Sequence, residues 1–155
     1  MAERTDVERQ AFYEADVDIV NSIADNKIKI LQSNHDVWSK KTQAIVDKKI
    51  AAKQALRDKR KVGIKLEWDR RLKAVRPGQE YKIQVINEQY DGLSDLADLE
   101  YENWFDAAAE EQYKIDGNVQ GRFDLAVANV EKWRQRELAA ELRQLQRKTQ
   151  QQRKR

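Results

Sequence analysis

The chain has 155 residues, 37% of them charged and 40% hydrophobic, and 30 Lys and Arg against 27 Asp and Glu leave a net charge of +3. Five glycines and one proline are too few for a turn-rich β-sandwich, and the apolar residues are too many and too periodic for a disordered chain. Without cysteine there is no disulfide and no thiolate metal site.

That composition predicts an all-α chain of long helices, each burying one stripe and solvating the rest. The length fits a single elongated domain over residues 1–155. Thr5 or Asp6 is a suitable N-cap, with Glu3 and Glu8 in the positive field of the helix start. The first arm then runs over about 6–76. Apolar residues recur at helical steps through Phe12, Ile19, Ile23, Ile30, Val37 or Trp38, Ile45, Ala52, Leu56, Ile64, Trp68, Leu72 and Val75. A second column lies close beside it: Val17, Val20, Ile28, Leu31 and Ile50. Two columns are more than one coiled-coil seam requires.

Pro77 and Gly78 interrupt this pattern at mid-chain. Proline cannot continue a helix without losing a hydrogen bond and clashing one turn back, and glycine frees the next residue for a reversal. A turn at 77–78 therefore predicts a helical hairpin, coiled-coil-like, with two antiparallel arms.

The second arm, about 79–150, carries an eleven-residue repeat. One column reads Ile86, Ala97, Ala108, Val119, Val130; another Tyr90, Tyr101, Gln112, Phe123; a third Leu93, Trp104, Ile115, Ala126. Eleven residues make three turns, so such columns run nearly straight along a helix. The register survives Gly92, Gly117 and Gly121. Asp91-Gly92 and Asp116-Gly117-Asn118 also have good turn chemistry, so a continuous helix and breaks near Gly92 and Gly117 both fit. Tail residues 147–155 extend past the apolar pattern as a basic end. Uninterrupted arms would each span on the order of 100 Å, too thin to hide four tryptophans and eight other aromatics. Copies of the chain, or other subunits of a larger assembly, are the expected cover.

Charge is laid out in blocks. Residues 1–39 carry net −4, 40–76 net +10, 77–124 net −9 and 125–155 net +6. Folding at Pro77-Gly78 sets +10 against −9 and −4 against +6. Exposed pairs contribute only about 0–1 kcal/mol each, so the pattern selects pairing and register more than stability. The same blocks would also match between subunits.

Candidate sites follow from these patterns. Ile45, Leu56, Trp68, Ile86, Leu93, Trp104, Ile115 and Phe123 are the expected packing residues. Tyr101, Trp104, Phe105 and Tyr113 beside Ala107, Ala108 and Ala109 suggest a close helix contact. The basic run Lys48, Lys49, Lys53, Arg57, Lys59, Arg60, Lys61 and Lys65 could meet phosphates, although helical spacing spreads it over several faces. So could Arg143, Arg147, Lys148, Arg153, Lys154 and Arg155, which have little acidic company near the end. Asp91, Asp95, Asp98, Glu102 and Asp106 share one face; without loop geometry they read as a solvated acidic surface rather than a cation site. His35 is the only histidine. No phosphate loop, nucleophile elbow or two-histidine motif is present. The expectation is a non-enzymatic structural or assembly subunit without metal or cofactor, the competing one a nucleic-acid-binding helical protein. No apolar run is long enough to span a bilayer, and the N-terminus lacks a hydrophobic signal core. Both predict a cytoplasmic or virion-internal protein rather than one secreted by a signal peptide.

In texture the chain resembles the small helical internal virion proteins of short-tailed bacteriophages. Residues 15–30 and 102–133 carry the likeness, being long, poor in glycine and rich in Asn, Gln and charge. The resemblance implies a core or portal-associated role, with membrane passage during genome ejection. The chain departs from that group in having no Ala/Gly-rich membrane-active N-terminal segment.

Overall fold

The computed structural model describes residues 5–154. Two helices account for nearly all of them: α1, Asp6–Lys73, of 68 residues, and α2, Tyr81–Arg153, of 73. They pack against each other as an antiparallel hairpin, with no strand among the described residues.

The ends of α1 follow from its sequence. The Glu8 amide donates to Thr5 Oγ1 at 3.1 Å and the Thr5 amide donates to Glu8 Oε2 at 3.3 Å. This is a reciprocal capping box, which selects Thr5 over Asp6 as the cap. Glu3 lies outside the described residues. At the other end Arg70, Arg71 and Lys73 occupy the last turn, where the helix dipole favours cations.

The reversal takes residues 74–80, wider than the pair 77–78. The Gln79 amide donates to the Arg76 carbonyl at 3.0 Å, closing a turn with Pro77 and Gly78 at its centre. Gly78 has φ of 89°, the only positive φ among the described residues. Proline first and a left-handed glycine second make a type II turn. The Gly78 amide also donates to Glu80 Oε1 at 3.0 Å. That hydrogen bond, with one from its own amide, holds the Glu80 carboxyl below its ordinary pKa.

α2 is unbroken through Gly92, Gly117 and Gly121, so the alternative of breaks near Gly92 and Gly117 does not hold. Local turn chemistry is overridden by the helix on either side. Gln112 donates to Asp116 at 2.8 Å and Gln120 to Asp124 at 3.0 Å, each four residues on. Such pairs add about 0.2–0.5 kcal/mol apiece to a helix. Residues 147–153, expected as a tail beyond the apolar pattern, belong to α2; Arg155 lies outside the described residues.

By packing, the chain divides into two units rather than forming one core: Lys40–Asp116, and Met1–Ser39 with Gly117–Arg155. In the first, Tyr90 and Ala97 are buried from α2. In the second, Val20 and Ala24 are buried from α1, together with the aliphatic and charged length of Arg9, which pairs with Asp6. On α2 the columns containing Ile86 and Tyr90 face the seam at every position. On α1 the assignment reverses over residues 17–56. Val17, Val20, Ile28, Leu31 and Ile50 form the seam, and Ile19, Ile23, Ile30, Val37, Ile45 and Leu56 turn outward. The first column meets the seam only from Ile64 onward, through Trp68, Leu72 and Val75. A partner helix can cover one stripe, so the second stripe stays uncovered.

Candidate interaction interface

In unit Lys40–Asp116 the seam is built from cations of α1 set on rings and carboxylates of α2. Lys53 Nζ lies 5.4 Å from the Trp104 ring centroid and the Arg57 guanidinium 4.5 Å from that of Tyr101. Arg71 lies 5.8 Å from Tyr90. Cations over aromatic faces gain about 0.5–1 kcal/mol when exposed and more when desolvated. Asp98 receives Lys61 at 2.9 Å and Arg57 at 3.9 Å, and Arg60 pairs with Glu100. Trp68 stacks on Tyr90 with centroids 6.1 Å apart, and its indole N–H donates to Asn87 Oδ1 at 2.8 Å. Burial raises the Tyr90 phenol pKa above its ordinary value, and Glu67 beside it adds to the rise.

In the unit of Met1–Ser39 with Gly117–Arg155 the charged contacts are fewer. Arg134 pairs with Asp25 at 2.5 Å and with Glu131 at 3.4 Å. Lys27 Nζ lies 4.6 Å from the Trp133 centroid. His35 stacks on Phe123, 4.7 Å between centroids and 23° between planes, and also faces Trp38. That is a packing role for the single histidine. A groove of about 410 Å³ opens where Arg9, Phe12 and Tyr13 face Glu141, Leu145 and Lys148.

The expected packing residues divide into two sets. Trp68, Ile86, Trp104 and Phe123 are half-buried at the seam, whereas Ile45, Leu56, Leu93 and Ile115 are exposed. Of the polyanion candidates, Arg57 and Arg60 are drawn into ion pairs within the chain and Lys53 onto Trp104. Lys48, Lys49, Arg147, Lys148, Arg153 and Lys154 are exposed. Around Asp98 the acidic face of α2 is engaged by cations of α1. Among the described residues no group of three His, Asp or Glu side chains is placed to hold a metal ion, and no helix is long and apolar enough to cross a membrane.

The cation–ring contacts are the part of this interface that composition alone does not announce. Their signal lies in the turn: Lys53 and Trp104, and Arg57 and Tyr101, sit at nearly mirrored distances from Pro77-Gly78.

No family model, no curated protein and no solved structure matches the chain.

Proposed function

We propose that the chain is a non-enzymatic structural subunit that completes its burial by packing its long helices against neighbours in an assembly. One observation carries this reading: the hairpin fully buries few of its apolar side chains and leaves many large ones in solvent. Among the described residues only four apolar side chains are buried, while twenty-one large ones are exposed. The accessible surface is 12212 Å². A compact globular monomer of the same mass exposes about 8,100 Å². The difference, about 4,000 Å², is the size of an obligate interface. On α1 the exposed residues are not scattered. Ile19, Ile23, Ile30 and Val37 follow steps of four and seven, the spacing by which one helix meets another.

Charge supports the same reading. The strongest basic block is partly neutralised within the chain, at Arg57, Arg60 and Lys61, which takes support from the alternative of a nucleic-acid binder working through this arm. A core or portal-associated place in a virion, implied by the resemblance, is one such assembly and stands on composition.

Replacing Ile19, Ile30 and Val37 by Gln tests the reading. The account expects a helical variant that associates more weakly than the parent in sedimentation. A variant whose association matches the parent's would refute a covered α1 face.

A further inference from the structure

We propose that the outward face of α2 over residues 132–154 binds the phosphate backbones of a DNA duplex. The proposal goes beyond the assembly reading and stands on a different helix.

Lys132, Arg143 and Lys154 follow one another at steps of eleven, and so do Arg136 and Arg147. Eleven residues make three turns, so the two columns run straight and side by side. These cations belong to one packing unit and one helical stretch, the Lys154 amide continuing the last turn by donating to the Gln150 carbonyl at 3.1 Å. Each of them is exposed, and among the described residues none forms an ion pair within the chain.

The face carries no carboxylate. The nearest acids, Glu131, Glu137 and Glu141, are half-buried, and Glu131 is paired with Arg134 at 3.4 Å. The seam runs along the opposite side. Arg134 reaches Asp25 of α1, and Glu141 and Leu145 face Arg9, Phe12 and Tyr13. Arg134 stands two residues from Lys132 and from Arg136, and Glu141 and Leu145 each stand two from Arg143. Two residues turn a helix by about 200°. Within this unit α1 therefore covers the back of the stretch and leaves the cations in solvent. Beside the columns stand Gln135, Gln146, Gln150 and the small Ala139, all exposed. Uncharged donors and a gap among cations suit a surface that meets phosphate oxygens closely.

What the face lacks selects the partner. The aromatic residue of this stretch, Trp133, is half-buried beneath Lys27 of α1, so the face offers no ring on which to stack the bases of a single strand. Nor does it offer the aromatic anchor of a protein interface, and it is charged along its length where the centres of such interfaces are depleted of charge. A helix lying on a membrane needs a free apolar side opposite its cations, and here α1 occupies that side. B-form DNA has a major groove about 12 Å wide that admits a helix, whereas the A-form groove of duplex RNA is deep and narrow. Successive cations of a column stand about 16 Å apart along the helix axis, enough for their side chains to reach the backbones on either side of the wider groove.

Fluorescence anisotropy with a labelled DNA duplex of mixed sequence, read over a series of salt concentrations, tests the assignment on the full chain. Binding should not depend on base sequence, and log K should fall with log salt at a slope of about −4, as these phosphate contacts require. The variant K132Q/R136Q/R143Q/R147Q should bind about 100-fold more weakly at low salt, with a slope of about −1. K40Q/K41Q/K48Q/K49Q has the same net charge but leaves the face intact, and should lose less than about 5-fold. Ala139→Glu, which sets one carboxylate among the cations, should weaken binding about 10-fold. Circular dichroism checks that all three variants remain helical. Without DNA, the face variant should sediment as the parent does.

Equal loss in the two four-site variants would reduce the effect to net charge and overturn the assignment. So would a face variant that binds as tightly as the parent, or a parent that binds no duplex at low salt. Tighter binding to a single strand, to duplex RNA or to phosphatidylserine vesicles would overturn it as well. Loss of self-association in the face variant would mean that the face meets another copy, which overturns the DNA proposal without touching the assembly reading.

Discussion

In unit Lys40–Asp116, α1 brings a block of net +10 to a block of net −9, and the structure converts this into cations on Trp104, Tyr101 and Tyr90 and on Asp98 and Glu100. In the unit of Met1–Ser39 with Gly117–Arg155, the small residue Ala24 and the β-branched Val20 let the helices close, and the ion pair of Arg134 with Asp25 joins the two helices. The same two-helix arrangement is thus closed by polar–aromatic chemistry in one unit and by close apolar packing in the other. A hairpin has no layered core, so each stretch of seam is stable only through its own side chains. The first unit is expected to be more sensitive to salt, the second to side-chain volume.

The largest expected effect is at Tyr90, 2% exposed and stacked on Trp68. Tyr90→Ala should cost about 3–5 kcal/mol, in the range for removing a buried aromatic. Hydrogen exchange should show the loss of protection in Lys40–Asp116 before the other unit. Equal loss in both would mean that the two units do not open separately.

Next is Trp68→Phe, which keeps the ring but leaves Asn87 without its donor. Denaturant unfolding should show a loss of about 1–3 kcal/mol, in the same unit. A neutral result would mean that water serves Asn87 as well as the indole does.

Gly92→Ala and Gly78→Ala separate helix from turn. Gly92 lies within α2 with open space around it, so alanine should stabilise by about 0.5–1 kcal/mol. Gly78 has φ of 89°, so alanine there should destabilise by about 1–2 kcal/mol. Thermal melts of the two variants should move in opposite directions.

Asp98→Asn should have a smaller effect, about 0–1 kcal/mol for each pair with Arg57 and Lys61, and the difference from the parent should shrink as salt rises. Titration adds a signed test at each end of the scale. The Glu80 pKa is lowered on folding, so its contribution is complete above the ordinary carboxylate pKa and is lost as pH falls through the folded value. Glu80→Gln should flatten that acid limb. The Tyr90 pKa is raised, so its contribution is complete below the ordinary phenol pKa and is lost as pH rises toward the folded value. Tyr90→Phe should flatten the alkaline limb.

The hairpin was legible because its signals are geometric. Pro77-Gly78 marks where the chain turns, and the columns through Ile86 and Tyr90 lie on the face of α2 that meets α1, whereas the third column, read in the same way, is exposed at Leu93 and Ile115. Periodicity says that Val20 and Ile19 belong to different columns, but the phase of the partner decides which column is covered. Gly92 and Gly117 are ambiguous for a related reason: turn chemistry is local, whereas helix continuity depends on the turns of helix to either side. The functional surface is the least legible part, since Ile45 or Leu56 acquires a role only from what covers it.

Sedimentation equilibrium of the parent chain across a wide range of concentrations tests the central claim most directly. The account predicts a mass that rises above 18.2 kDa with concentration, together with a melting temperature that rises in step. A constant mass of 18.2 kDa and a concentration-independent melt would contradict it.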